Sequence, residues 1–251
     1  MTKLPVALER DPIANAVFEI RFSSDVTGIS DILPGLMFTK LRGRYDRVVT
    51  LPAGEMPAAL RAQLPNIEYQ GLKSLVGKRS NINFAERSLV IELVHPYWGW
   101  KAFKELICEI LSTVRDTGLV STVDRCSLRY VNILEGTGSN SVMDVLNVSG
   151  SVGNFKIKED GFHLRVETIL DDGALAIIQV ANSALIEIKD SVSDTKLSGI
   201  LLDVDCILTS SLEDFWRDFS DIIDMVHADE KKVFFGMLND RTLKAFGPKW
   251  E

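Results

Sequence analysis

The chain holds 251 residues, 46% of them hydrophobic and 25% charged, and its formal net charge is −7. This composition excludes general disorder and suits one large domain or two small ones. An acidic balance argues against a nucleic-acid binder, which needs a broad basic footprint.

Residues 5–16 read as an extended lead-in, followed by a strand at Val17-Phe18-Glu19-Ile20-Arg21-Phe22 whose alternation puts apolar groups on one face and polar groups on the other. Ser30 or Asp31 can cap a helix that runs to about Tyr45, with Pro34 near its first turn. Lys40, Arg42, Arg44 and Arg47 form the one compact basic cluster, which reads as a solvated helix face followed by a turn. A short strand at 47–51 and a helical turn or two at 57–64 come next, then strands at 68–76, 81–84 and 88–94 joined by hairpin turns at 77–79 and 85–87. A helix at 98–116 carries Phe103, Leu106, Ile107, Ile110, Leu111 and Val114 at spacings of three and four, and Gly118 stops it.

The second half replays this order. A strand at 125–135 leads through the loop 136–140 to a short helix at 141–148, with Ser141 and Asp144 at capping positions. Strands at 155–158, 162–170, 174–180, 184–188 and 200–208 follow, with a hairpin turn at Asp171-Asp172-Gly173. A helix at 211–226 opens on a Ser210–Glu213 capping box, a second helix covers 229–238, and a polar tail reaches Trp250. The expected fold is α+β, with antiparallel sheets covered by amphipathic helices, in two related strand-helix-strands-helix halves at 1–120 and 121–251 that form one compact unit.

Four polar groups sit inside runs that otherwise read as sheet interior: Glu19, Arg21, Arg129 and Asn132. Burying them unpaired costs several kcal/mol, so they pair with each other or with a ligand. Two arginines suit a carboxylate or phosphate. Arg129 and Asn132 are three apart and point oppositely in a regular strand. Asp203 and Asp205 share a strand face, where they can hold Mg²⁺ or Mn²⁺ or meet basic residues of an adjacent strand. Tyr97, Trp98 and Trp100 cluster at a strand-to-helix joint and can pack over a sheet end or line a pocket. Gly77-Lys78-Arg79-Ser80 lacks the upstream glycine of a P-loop. The dispersed His95, His163 and His227 give no zinc spacing, and no catalytic set or cofactor motif is recognisable.

Pro12-Ile13, Phe18-Glu19-Ile20-Arg21-Phe22, Tyr97 and Trp100, Leu128-Arg129-Tyr130-Val131-Asn132, Leu202-Asp203-Val204-Asp205, His227 and Phe234-Phe235 occur in that order. The order resembles a sporadically distributed bacterial family of uncharacterised proteins of about this length. The resemblance implies a bacterial cytoplasmic protein, an accessory component of a mobile or defence-linked system, and it transfers no catalytic residues. A cytoplasmic location also fits the absence of a signal-peptide core after Met1, the absence of an apolar run of about 18 residues, and three scattered cysteines at 108, 126 and 206. The expected function is binding or interaction, with no cofactor and no membrane. The C-terminal aromatic helices suggest a homodimer or a protein partner. The alternatives are an enzyme acting on a small anionic or phosphorylated substrate through Arg21 and Arg129, and a holdase-like chaperone.

Overall fold

A computed structural model describes residues 3–137, 139, 141–156, 161–189 and 194–250. In chain order its elements are β1 (Ala7–Leu8), β2 (Ile13–Ser23), α1 (Ile29–Lys40), β3 (Tyr45–Thr50), α2 (Pro52–Glu55), α3 (Ala58–Arg61), β4 (Lys73–Gly77), β5 (Ser80–Phe84), β6 (Ser88–Leu93), α4 (Trp100–Arg115) and β7 (Thr122–Leu134). Then come α5 (Val142–Val145), β8 (Ser151–Val152), β9 (Phe155–Lys156), β10 (His163–Ile169), β11 (Leu175–Lys189), β12 (Asp194–Leu208), α6 (Phe215–Met237), α7 (Asp240–Ala245) and β13 (Pro248–Lys249). The fold is α+β, with antiparallel sheet packed against helices.

Two compact units form. Unit I is Met1–Ala16, Arg129–Cys206 and Val226–Glu251; unit II is Val17–Leu128 and Ile207–Met225. Each therefore takes residues from both sequence halves. In unit II the strand order is β7-β2-β6-β5-β4-β3, with β6, β5, β4 and β3 joined by antiparallel pairing. Phe18, Ile20 and Phe22 of β2 are buried, and the intervening Val17, Glu19 and Arg21 are half-buried. Helix α1 packs on β3, β4, β5 and α4. The stripe Phe103, Leu106, Ile107, Ile110, Leu111 and Val114 of α4 is fully buried, as its spacing requires.

In unit I the order is β10-β11-β12-β7, and β1 pairs with β13. The turn at 171–173 closes the β10–β11 hairpin, with Gly173 at φ +88° and Leu170 donating to the Ala174 carbonyl. Asn239 caps α7 by accepting from the Thr242 amide at 2.8 Å.

Several elements differ from the sequence reading. Helix α1 is capped by Gly28 in the left-handed region; Ser30 instead donates to Glu86, and Asp31 pairs with Lys73 at 2.6 Å. Pro34 lies inside the helix, where it cannot donate to the Ser30 carbonyl. Residues 67–69 form a 3₁₀ turn, so β4 begins only at Lys73. Around α5, Ser141 makes no side-chain cap; Asp144 accepts from Ser139 Oγ at 2.9 Å. The two strands expected at 174–180 and 184–188 are one strand, because Asn182 accepts from the Phe162 amide at 3.1 Å and keeps the pairing intact. Gly138, Asn140 and the end of the strand expected at 155–158 lie outside the described residues.

The largest difference is α6. One helix replaces the two expected, and it starts at Phe215, beyond the Ser210–Glu213 box. Neither Pro nor Gly separates residues 226 and 229, and the buried stripe runs on through Phe215, Phe219, Ile222, Ile223, Val226, Phe234 and Leu238. Asp229 and Glu230 occupy the middle of that stripe, at 2% and 4% exposure. Burial pushes the Asp229 carboxyl up, and the neighbouring Asp172 carboxyl pushes it the same way, while Asp172 is itself lowered. Lys232 Nζ lies 2.8 Å from Asp229.

Two expectations about stability follow. Phe103→Ala empties a fully buried site and should cost about 3–5 kcal/mol in urea unfolding, whereas Ile32→Ala, at an exposed position, should stay within about 0.5 kcal/mol. Burial also raises Glu230 well above its usual 4.5. The folded chain then holds a proton that the unfolded chain releases, so stability is full below about pH 4.5 and falls as pH rises toward the folded value. Glu230→Gln removes this loss; its stability relative to the parent should climb as pH rises above about 4.5, and a pH-independent difference would contradict the assignment.

Candidate functional site

Glu19 and Arg21 meet on the half-buried face of β2 in unit II. Arg21 Nε lies 3.0 Å from Glu19 Oε1, and Arg125 Nη2 of β7 lies 3.6 Å from Glu19 Oε2. The Arg21 guanidinium also sits 4.2 Å from the centroid of the Tyr69 ring. Its charge is thus engaged by a carboxylate and an aromatic face.

Arg129 belongs to unit I and grips Asp203 of β12 with a fork, Nε to Oδ1 at 2.8 Å and Nη2 to Oδ2 at 2.6 Å. Gln179 of β11 adds a third bond to Oδ2 at 3.0 Å. Asp203 is 3% exposed, so these donors replace the water it loses. The same bonds raise the Arg129 pKa. Asp205 adds to that rise through its charge. Among the described residues no group of three or more His, Cys, Asp or Glu side chains is placed to hold a metal. Asn132 is buried, and its Nδ2 donates to the Leu202 carbonyl at 3.0 Å and the Tyr130 carbonyl at 3.3 Å. Burial alternates along this part of β7, with Arg129 exposed, Tyr130 and Asn132 buried and Val131 between. Arg129 and Asn132 therefore take opposite faces, and Asn132 serves as a strand-to-strand tie.

The aromatic joint divides into two jobs. Tyr97 and Trp100 pack edge-on against Phe103 at 6.4 and 6.5 Å, and Trp100 Nε1 donates to Asp224 at 3.3 Å. Trp98 turns elsewhere and carries the Arg79 guanidinium 3.9 Å from its ring centroid.

Trp98 lines a groove of about 850 Å³ in unit II, between residues 40–46, the 78–80 turn and the first half of α4. Its cations are Lys40, Arg42, Arg44, Lys78 and Arg79; its carboxylates are Asp46, Glu105 and Glu109. Arg44 pairs with Glu109 at 2.7 Å. Among the described residues Lys40, Arg42 and Lys78 have no carboxylate partner, and Arg79 has only the Trp98 ring. Ser80 of the lining meets the buried Tyr45, whose hydroxyl lies 3.0 Å from Ser80 Oγ and whose pKa burial pushes up. Gly77 lets the two basic loops approach, since a Cβ there would lie 2.7 Å from the Arg44 carbonyl oxygen. The cluster read as a solvated face is thus partly a wall, with Arg47 outside the lining. Sequence reading missed Lys78 and Arg79 as its partners; the available signal was a basic hairpin tip in an acidic chain.

No family model matches the chain, and no curated protein is significantly similar to it.

The Arg129–Asp203 fork is asymmetric in exposure, with side chains 44% and 5% exposed. Arg129→Ala strips a buried carboxylate of its principal partner and should cost about 2–3 kcal/mol in urea unfolding. Asp203→Asn leaves an acceptor for an arginine that water can reach, and should cost less. Equal losses would mean that Asp203 draws little from the fork.

Proposed function

We propose that this chain is a binding protein that takes a phosphate-bearing small molecule in the unit II groove. The carrying observation is the convergence there of Lys40, Arg42 and Lys78, without carboxylate partners among the described residues, around an Arg79–Trp98 stack. Arginine offers planar forks to phosphate oxygens, lysine adds mobile point charge, and the stacked guanidinium presents a flat surface to a base or ring. The groove volume falls within the range of about 300–1,000 Å³ typical of small-molecule sites. A bacterial cytoplasmic setting, as accessory component of a larger system, belongs to the same proposal and is supported by motif order alone.

Isothermal titration with pyrophosphate and with adenosine triphosphate tests the reading. Binding should weaken as salt rises, because exposed charges are screened. The double variant Arg42→Ala, Lys78→Ala should bind about tenfold more weakly or worse, a change of about 1.4 kcal/mol. Absence of heat with either compound at millimolar concentration would overturn the proposal.

A further inference from the structure

Independently of the groove, we propose that β10 of unit I pairs with β10 of a second copy of this chain, joining two sheets across a two-fold axis at Val166. Among the described residues β10 is the edge strand of its sheet, with β11 on one side. Most of its residues are exposed, including Val166 at 38% and Ile169 at 67%. The β10–β11 register is unbroken from His163 to Ile169, and the strand contains neither proline nor lysine. Bulges, prolines and charged side chains, lysine above all, are the usual means by which an edge strand is kept from pairing; the charges here are one of each sign, Arg165 and Glu167.

Backbone direction selects the register. Asn182 donates to the Phe162 carbonyl and Leu170 to the Ala174 carbonyl, so the even-numbered residues of β10 bond inward to β11. The amides and carbonyls of His163, Arg165, Glu167 and Ile169 consequently face outward. An antiparallel copy centred on Val166 sets Arg165 opposite the second copy's Glu167, and His163 opposite its Ile169. Every outward residue then falls in a hydrogen-bonded pair, and both cross-strand charge pairs are attractive.

Neighbouring registers lose this match. Centring on Arg165 or on Glu167 places like charges directly opposite each other, and a slip by one residue breaks the correspondence of outward groups. Within one copy Arg165 and Glu167 already form an ion pair on a single strand face, so pairing extends an existing charge row. The two Val166 side chains meet at the axis on the opposite strand face, alongside the half-buried Leu164. The interface is isologous: one patch complements its own copy.

Charge reversal tests the proposal in sedimentation velocity, run on the full chain from low to high micromolar concentration. The parent should dimerise with rising concentration. Arg165→Glu and Glu167→Arg should each weaken the dimer about tenfold or more, because each places like charges opposite each other. An equimolar mixture of the two variants should restore dimerisation, as should the double swap. Both substitutions are at exposed positions, and circular dichroism would confirm the fold. Hydrogen exchange gives a second reading: amides of Arg165 and Glu167 should gain protection as parent concentration rises. A parent that stays monomeric, or single variants that dimerise as tightly as the parent, would overturn the proposal.

Discussion

Asp203 loses nearly all its water inside the sheet, and the Arg129 fork with Gln179 is what makes that burial tolerable. A lone carboxylate in that position would be driven to take up a proton, since an unpaired buried charge costs far more than one hydrogen bond returns. The same constraint operates in unit II, where Glu19 stands between Arg21 and Arg125. Charges set into half-buried strands are thus matched locally. Arginines that would otherwise be natural hands for an anion are already engaged.

The groove obeys the opposite rule. Its cations lie in loops and at a helix end that water reaches, so Lys40, Arg42 and Lys78 tolerate one another without a carboxylate partner among the described residues. What holds them close is backbone geometry: the absence of a side chain at Gly77, and the buried Tyr45–Ser80 contact beneath. Arg79 is ordered by a neutral ring in place of a carboxylate, which keeps its full charge available. The wall is a local excess of cations in a chain whose formal net charge is −7.

Much of the fold was legible because periodicity is a local signal. The period of two in β2, the three-four spacing of α4 and the hairpin turns at 77–79 and 171–173 each appear within a short window. Failures came where chemistry and periodicity disagree. Asp229 and Glu230 fall on the buried face of α6, and a reading that expects apolar residues there divides one helix into two. The α1 cap failed because Gly28 takes the capping position by adopting a left-handed conformation, which its composition permits and no pattern announces. The polar strand residues stand out by type but not by partner. Arg129 and Asp203 are 74 positions apart, and only strand pairing decides that they meet. Opposite directions for Arg129 and Asn132, by contrast, followed from parity alone.

β10 shows how a local pattern acquires meaning from placement. Arg165-Val166-Glu167 is unremarkable in an interior strand, where its neighbours would be chosen by the rest of the sheet. At an edge the same triplet becomes a selection rule. An arbitrary strand gains main-chain hydrogen bonds there but meets two opposite charges, and matches them only if its own sequence runs minus-apolar-plus in the opposing direction. The strand's own antiparallel copy satisfies that condition automatically, because a two-fold axis reverses the order. On the proposed pairing, an edge built this way resists most foreign strands through unmatched charge while matching its own copy. A charged edge is therefore not simply a protected one; its selectivity depends on whether the signs are uniform or antisymmetric about a residue.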